Sequence, residues 1–212
     1  MAAADRLNQL LDESGHPHLD PETAGKFAAY LTLLQKWNAR TNLTSIRDEE
    51  GILSRHFFES ILCAHKLPKD IVSLLDFGSG AGFPGIPIAL IRPEISVTLA
   101  ESQNKKAAFL REAVRTLFSE SGLNTKVHAY RAEILNATFD AVTLRAVDNM
   151  AVAIPAAIQL LNPHGWLAIL TTLEDAPAIQ AEASQSTPFH WSRAESLQAG
   201  TSRILLLGQR DK

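Results

Sequence analysis

The chain has 212 residues, 46% hydrophobic and 20% charged, with a net charge of −3. That is enough apolar material for one full core, and the charge argues against a protein that coats nucleic acid by bulk electrostatics. Cys63 is the only cysteine, which excludes an internal disulfide or a cysteine-cluster metal site. No apolar run approaches the ~20 residues of a membrane span, and Met1 to Arg6 lacks the apolar core of a signal peptide, so a cytoplasmic location is expected.

Asp5 to Ser14 reads as a short helix closed by Gly15. Asp20-Pro21-Glu22 gives an N-cap followed by proline at the first helical position. In the helix that follows, Phe27, Tyr30, Leu31, Leu34 and Trp37 recur at helical spacing and form an apolar stripe, most of it core. Trp37 to Arg47 is a polar connection whose amides and hydroxyls suit turns and caps. A further helical pair is expected, Asp48 to Ser54 and His56 to Lys66. His56 and His65 have no Asp, Cys or His partner at ligand spacing and read as structural or exposed, and Cys63 as a core residue.

From residue 71 strands alternate with helices, the pattern of a parallel α/β sheet. Ile71 to Phe77 is an almost unbroken apolar run, as expected of a strand covered on both faces. It leads into Gly78-Ser79-Gly80-Ala81-Gly82-Phe83-Pro84, where glycines at alternate positions allow a sharp turn and the approach of a ligand to the backbone. Pro84 suits the first turn of the next helix, whose positive end is expected to face that ligand. Two cofactor classes use such a turn. A dinucleotide fingerprint beginning at Gly78 fails because Phe83 occupies its third glycine position, and one beginning at Gly80 starts two residues late and puts Pro84 in the phosphate loop. G-x-G-x-G from Gly78 fits S-adenosylmethionine, which has no pyrophosphate to cradle.

After the helix Pro84 to Ile91, the strand Ile95 to Glu101 ends in a carboxylate 23 positions beyond Gly78. That is close to the ~20-residue offset at which an acidic group meets ribose hydroxyls. Lys105 to Ser121 is a helix with Phe109, Leu110, Val114 and Leu117 toward the sheet. Residues 103–131 carry six basic side chains against two acidic ones, a local excess that permits contact with a polyanion or is simply a solvated face. Lys126 to Tyr130 is a third strand, leading to Arg131-Ala132-Glu133, and Phe139 to Arg145 a fourth. Ligands of open α/β sheets sit beyond the carboxyl ends of the strands, so Gly78, Glu101, Glu133 and Arg145 are expected in one crevice. Met150 to Leu161 is a covering helix, Gly165 to Thr172 a fifth strand, and Phe189 to Arg193 with Arg203 to Leu207 a closing antiparallel pair.

Over most of its length the chain resembles the glucose-inhibited division protein B family, the small-subunit (16S) ribosomal RNA guanine-N7 methyltransferases. The resemblance rests on Trp37-Asn38 with Asn42-Leu43-Thr44, Arg55-His56, the string Gly78 to Pro87, Glu101-Ser102 with Lys105-Lys106 and Phe109-Leu110, Arg131-Ala132-Glu133, and Phe139-Asp140 with Arg145-Ala146. It implies a Rossmann-like α/β methyltransferase sheet, mostly parallel with an antiparallel closing strand. An N-terminal helical segment, 1–67, would pack on an S-adenosylmethionine-binding domain, 68–212. It further implies cofactor contacts at Gly78, Gly80 and Phe83, ribose contact at Glu101, adenine-edge contacts at Ala132 and Glu133, and a contact from Arg145 to cofactor or substrate. The implied partner is small-subunit ribosomal RNA, alone or in the assembled subunit, and the implied working form a monomer. Two departures stand out: Thr171-Thr172 where similar proteins usually carry Lys-Gly, and Glu59-Ser60-Ile61 where they carry Asp-Ser-Leu.

The sparse catalytic inventory agrees with N7 chemistry, because that nitrogen presents a lone pair with no proton to remove and needs alignment rather than a general base. No catalytic residue is therefore expected. An exocyclic-amine methyltransferase would show Asn or Asp followed by Pro-Pro and an aromatic residue where this chain has Arg145-Ala146-Val147-Asp148, and a pyrimidine-C5 enzyme would need a cysteine in the crevice. The alternatives are a nicotinamide-dependent reductase, disfavoured by glycine register and by the lack of a Tyr-x-x-x-Lys pair, and a non-catalytic RNA-binding protein on the same fold.

Overall fold

The computed structural model describes residues 2–118, 124–147, 149–198 and 200–211; Asp148 and the end of the helix expected to reach Ser121 lie outside them. Five strands, β1 (Ser73–Phe77), β2 (Ser96–Ala100), β3 (Thr125–His128), β4 (Phe139–Arg145) and β5 (Leu161–Thr172), lie parallel in the order β3-β2-β1-β4-β5. β6 (Phe189–Trp191), the two-residue β7 (Glu195–Ser196) and β8 (Arg203–Arg210) close the sheet, with β8 antiparallel to β5 and the other two antiparallel to β8. The order reverses at β1, so the crevice beyond β1, β2 and β4 is the switch point where such sheets take ligands.

Alternation along the strands builds two apolar layers. Leu74 and Val97 pack on one face with the helices α5 (Gly85–Ile91) and α6 (Asn104–Leu117), while Leu75, Val142 and Ile169 pack on the other with α7 (Met150–Gln159) and α8 (Ala176–Ser186). The N-terminal helices have no separate core. Leu7 and Leu11 of α1 (Ala3–Glu13) and Phe27, Tyr30 and Leu34 of α2 (Pro21–Thr41) are buried in the same cluster as Leu74 and Phe109. As expected, the Asp20 carboxylate accepts from the N–H groups of Glu22 and Thr23 at 3.0 Å each, and Gly15 leaves α1 at φ +71°.

Four elements differ from the sequence-based expectations. The helical pair over residues 48–66 is one unbroken run, α3 (Glu49–Gly51), a π-helical turn Ile52–Phe58 and α4 (Glu59–Lys66). Nothing between Gly51 and Lys66 breaks a helix, and the wide turn keeps Ile52, Leu53, Phe57 and Phe58 buried on either side of exposed Arg55. β5 begins at Leu161 rather than Gly165, passing through His164 at φ +62°, a backbone kink that its Asn-Pro-His-Gly sequence presents as a turn. α8 and β7 were not anticipated. α8 buries only Ala176, Ile179 and Ala183, too sparse a stripe to show as helical periodicity. Among the described residues, no helix is long and apolar enough to cross a membrane.

Candidate functional site

The turn after β1 holds the site together. Gly78, Gly80 and Gly82 sit at φ +68°, +59° and +92°, a region that favours glycine. The glycines serve two purposes. A Cβ on Gly78 would meet only the Val147 side chain, 3.5 Å away, and one on Gly80 nothing nearer than 3.8 Å, so both backbones front open space. A Cβ on Gly82 would lie 2.7 Å from the Tyr30 hydroxyl, and one on Gly85 2.6 Å from Asp76 Oδ2, so these two glycines make room for protein rather than ligand.

Asp76, buried at the end of β1, organises the underside. Its Oδ2 accepts from Ser79 Oγ at 2.5 Å and Gly85 N at 3.1 Å, and its Oδ1 from Thr143 Oγ1 at 2.9 Å. Burial pushes its carboxyl pKa up, against the pull of these donors and of Arg145. The start of α5, expected to face a ligand, is therefore turned inward and satisfied by Asp76. The ring of Phe83 is buried beneath the turn, stacked on His56 at 4.6 Å and 15° and packed against Tyr30 and Phe57, and it does not line the cleft, which leaves the backbone of Phe83 for the expected cofactor contact. The Tyr30 hydroxyl donates to the carbonyl of Ala81 inside the turn, so α2 grips the glycine loop from below.

Above the turn lies a cleft of about 430 Å³ lined by Gly78, Glu101, Ala132 and Glu133, with Lys106 on one side and Val147 on the other. Glu101 is buried, its Oε2 accepting from Gly80 N at 2.9 Å and its Oε1 from Gln103 N at 2.7 Å, which ties β2 to the glycine turn. Ala132 is buried at the start of a single 3-10 turn, Ala132–Ile134, that places Glu133 at the rim. Tyr130 and Val152, 65% and 60% exposed, form an apolar lip. The volume falls in the ~300–1,000 Å³ range of small-molecule sites, and a carboxylate, bare backbone and an apolar lip in one cleft suit a nucleoside.

Arg145 does not join Gly78, Glu101 and Glu133. Its Nη2 donates to Glu59 Oε2 at 2.9 Å and to the carbonyl of Arg55 in the π-helical turn. Glu59 is fully buried and accepts also from Arg203, whose Nε reaches Oε1 at 2.5 Å and whose Nη2 reaches Oε2 at 2.8 Å. Burial lowers the Arg145 pKa to about 10 although Glu59 pulls it up. An ion pair sealed from water draws the guanidinium away from the first cleft and into the wall of a second one, about 400 Å³, shared with Thr171, Thr172, Asp175 and Arg203. Sequence reasoning noted Glu59 only as a departure and missed its role. The available signal was a carboxylate inside the apolar run from Ile52 to Ala64.

His56 and His65, expected to be structural or exposed, are both half-buried. His56 Nε2 lies 2.7 Å from Thr44 Oγ1, and burial with nearby Arg145, Arg55 and Arg203 depresses its pKa to about 3; His65 Nδ1 meets His16 Nδ1 at 3.1 Å. Among the described residues no three His, Cys, Asp or Glu side chains are placed to hold a metal ion.

Residues 23–201 match the family described as rRNA small subunit methyltransferase G. The chain is 42% identical over 153 residues to a ribosomal RNA small subunit methyltransferase G from Roseiflexus sp., covering 69% of this chain and 64% of that protein. It is likewise 42% identical over 153 residues to the protein of the same name from Xanthomonas campestris pv. campestris, covering 70% and 69%. Its fold is similar to that of TYW2 from P. horikoshii, solved in complex with MeSAdo, with a TM-score of 0.58 at 13% identity over 74% of this chain and 63% of that one.

Proposed function

Because the chain belongs to the rRNA small subunit methyltransferase G family, we propose that it transfers a methyl group from S-adenosylmethionine to N7 of a guanine in small-subunit (16S) ribosomal RNA. The observation that carries this is that the bare backbone of Gly78 lines one cleft together with Glu101, Ala132 and Glu133. A Cβ at Gly78 would project into that cleft, which is what a site for a closely held cofactor requires.

The cofactor supplies an electrophilic methyl on a sulfonium. Gly78 and Gly80 would let it approach the backbone, the lone pairs of Glu101 not used by Gly80 and Gln103 would be free to accept from ribose hydroxyls, and Ala132 and Glu133 would hold the adenine. None of these groups has to move a proton, since guanine N7 attacks with its own lone pair; the residues bind, orient and exclude water. Lys106 at the mouth of the cleft, with Lys105 and Arg111 exposed on α6, offers phosphate contacts to the RNA. It would act as a monomer in the cytoplasm on ribosomal RNA, free or within the assembled subunit.

Mapping N7-methylguanine in ribosomal RNA from cells with and without the protein is the test. One guanine of the small-subunit RNA should lose its methyl group in the absence of the protein, and an unchanged map overturns the reading. Calorimetry should show binding of S-adenosylmethionine and none of NADH, with Gly78→Val abolishing it.

A further inference from the structure

Near the end of α2, Trp37 is an aromatic side chain that the core only partly absorbs. Its indole Nε1 donates to Glu112 Oε2 of α6 at 3.1 Å, and its ring meets that of Phe109 edge to face, the centroids 5.7 Å apart at 67°. These two contacts fix the orientation of the ring and leave the side chain half-buried. Beside it lies a hollow of about 150 Å³ lined by Lys36, Trp37, Arg40 and Thr41. The Thr41 hydroxyl donates to the carbonyl of Trp37 at 2.7 Å, so with both polar hydrogens spent the hollow offers ring and aliphatic stem rather than hydrogen-bonding groups.

Cations surround it. Lys36 and Arg40, one helical turn apart, are exposed at its border. Arg47 is exposed as well, its guanidinium held at the end of α2 by Asn42 Oδ1 at 2.5 Å, and Arg111 and Arg115 are exposed on α6 on either side of Glu112. The hollow is smaller than the ~300–1,000 Å³ of a small-molecule site, so it takes one flat ring system and not a whole ligand. An aromatic ring among exposed cations is the arrangement that holds single-stranded nucleic acid: the cations meet phosphates and the ring stacks on the π-face of a base, whichever base it is. Glu112 follows Lys106 of the cofactor cleft by six positions, about 9 Å along α6 at 1.5 Å per residue, which puts Trp37 within a few nucleotides of the mouth of that cleft.

We propose that Trp37 is a stacking platform for an unpaired base of the RNA substrate, a neighbour of the acceptor guanine rather than the acceptor itself, with Lys36 and Arg40 on the flanking phosphates. The proposal rests on the methyltransferase reading and adds to it an RNA-binding residue on α2, outside the cofactor cleft. N7 of guanine lies on the major-groove edge of the base, and the major groove of an RNA helix is too deep and narrow for side chains to enter. The acceptor strand therefore has to be open, and a base held on Trp37 keeps it open beside the cleft.

The test uses the full-length protein saturated with S-adenosylhomocysteine and titrated with two fluorescent decamers of equal phosphate number, oligouridylate and the same ribose-phosphate chain without bases. Oligouridylate should bind about fivefold tighter or more, the effect of one stacked base. In Trp37→Leu that preference should fall below about twofold, while the salt dependence and the affinity for S-adenosylhomocysteine stay as they were. Trp37→Phe, which keeps an aromatic face, should retain most of it. Lys36→Gln combined with Arg40→Gln should instead weaken both decamers alike and flatten the log–log salt dependence by roughly 1.4 units, about 0.7 for each phosphate contact on a single strand. Irradiation of a 5-iodouridine decamer on the unmodified protein, which needs no variant to fold, should cross-link the tryptic peptide Trp37–Arg40. Equal binding of the two decamers, a preference that survives in folded Trp37→Leu, or cross-links confined to other peptides overturns the proposal. Loss of S-adenosylhomocysteine affinity in Trp37→Leu would make the indole a prop of the cofactor turn and also overturn it. Failure of the unmodified protein to bind S-adenosylhomocysteine is a separate result, and strikes at the methyltransferase reading instead.

Discussion

At the scale of single residues, Glu101 has a structural task beside the ribose contact proposed for it. If it holds the ribose as proposed, Glu101→Gln should weaken cofactor binding by about 1.5–3 kcal/mol, the worth of a hydrogen bond to a charged group. The carboxylate also accepts from Gly80 N–H and Gln103 N–H, one on each oxygen. A glutamine would turn an NH₂ toward one of those donors, so the loss of affinity should come with a lower melting temperature, measured by calorimetry and thermal unfolding on the same sample. A variant with unchanged affinity removes Glu101 from the cofactor's ligands. Asp76 and Glu59 were harder to read. Both are carboxylates in apolar runs, and nothing local says that one will gather Ser79, Thr143 and Gly85 while the other binds arginines from β4 and β8. Their partners are 67 residues away for Thr143 and 144 for Arg203, a separation that periodicity does not span.

Among the elements, β1, β2 and β4 were legible because each is short, largely apolar and ends at a glycine or a charged residue, Gly78, Glu101 and Arg145. α2 was legible by its Asp20 cap and stripe, but what it does was not. Tyr30, one aromatic among several in that stripe, is fully buried and its hydroxyl donates to Ala81 O within the cofactor turn. Tyr30→Phe leaves that carbonyl unpaired, which costs about 1–3 kcal/mol. Part of the cost should appear as weaker S-adenosylmethionine binding, because the turn loses its tether. The same variant should keep its helical circular dichroism. A drop in stability with affinity intact would make Tyr30 a core residue and nothing more. The failure to foresee α8 and the π-helical turn has a common physical cause. Neither shows as a distinct apolar repeat, and both are fixed by what they pack against.

For the molecule as a whole, the acidic total hides a basic side. Lys105, Arg111 and Arg115 are exposed on α6, Lys106 lines the cofactor cleft, and Trp37 of α2 bonds Glu112 of α6 at 3.1 Å, bringing Lys36 and Arg40 of α2 toward the same flank. Removing the charges of Lys105 and Arg111 together should flatten the log–log salt dependence of RNA binding by roughly two units, about one per phosphate contact. It should raise the RNA concentration needed for half-maximal methylation and leave S-adenosylmethionine affinity alone. Unchanged salt dependence would mean an ordinary solvated helix face. The wall formed by Ala146 and Val147 has its own consequence at this scale. Ala146 and Val147 line both clefts, so a rearrangement of that one stretch of backbone would alter the two of them together. Any effect that a ligand in the first cleft has on affinity at the second must then be returned in equal measure by a ligand in the second.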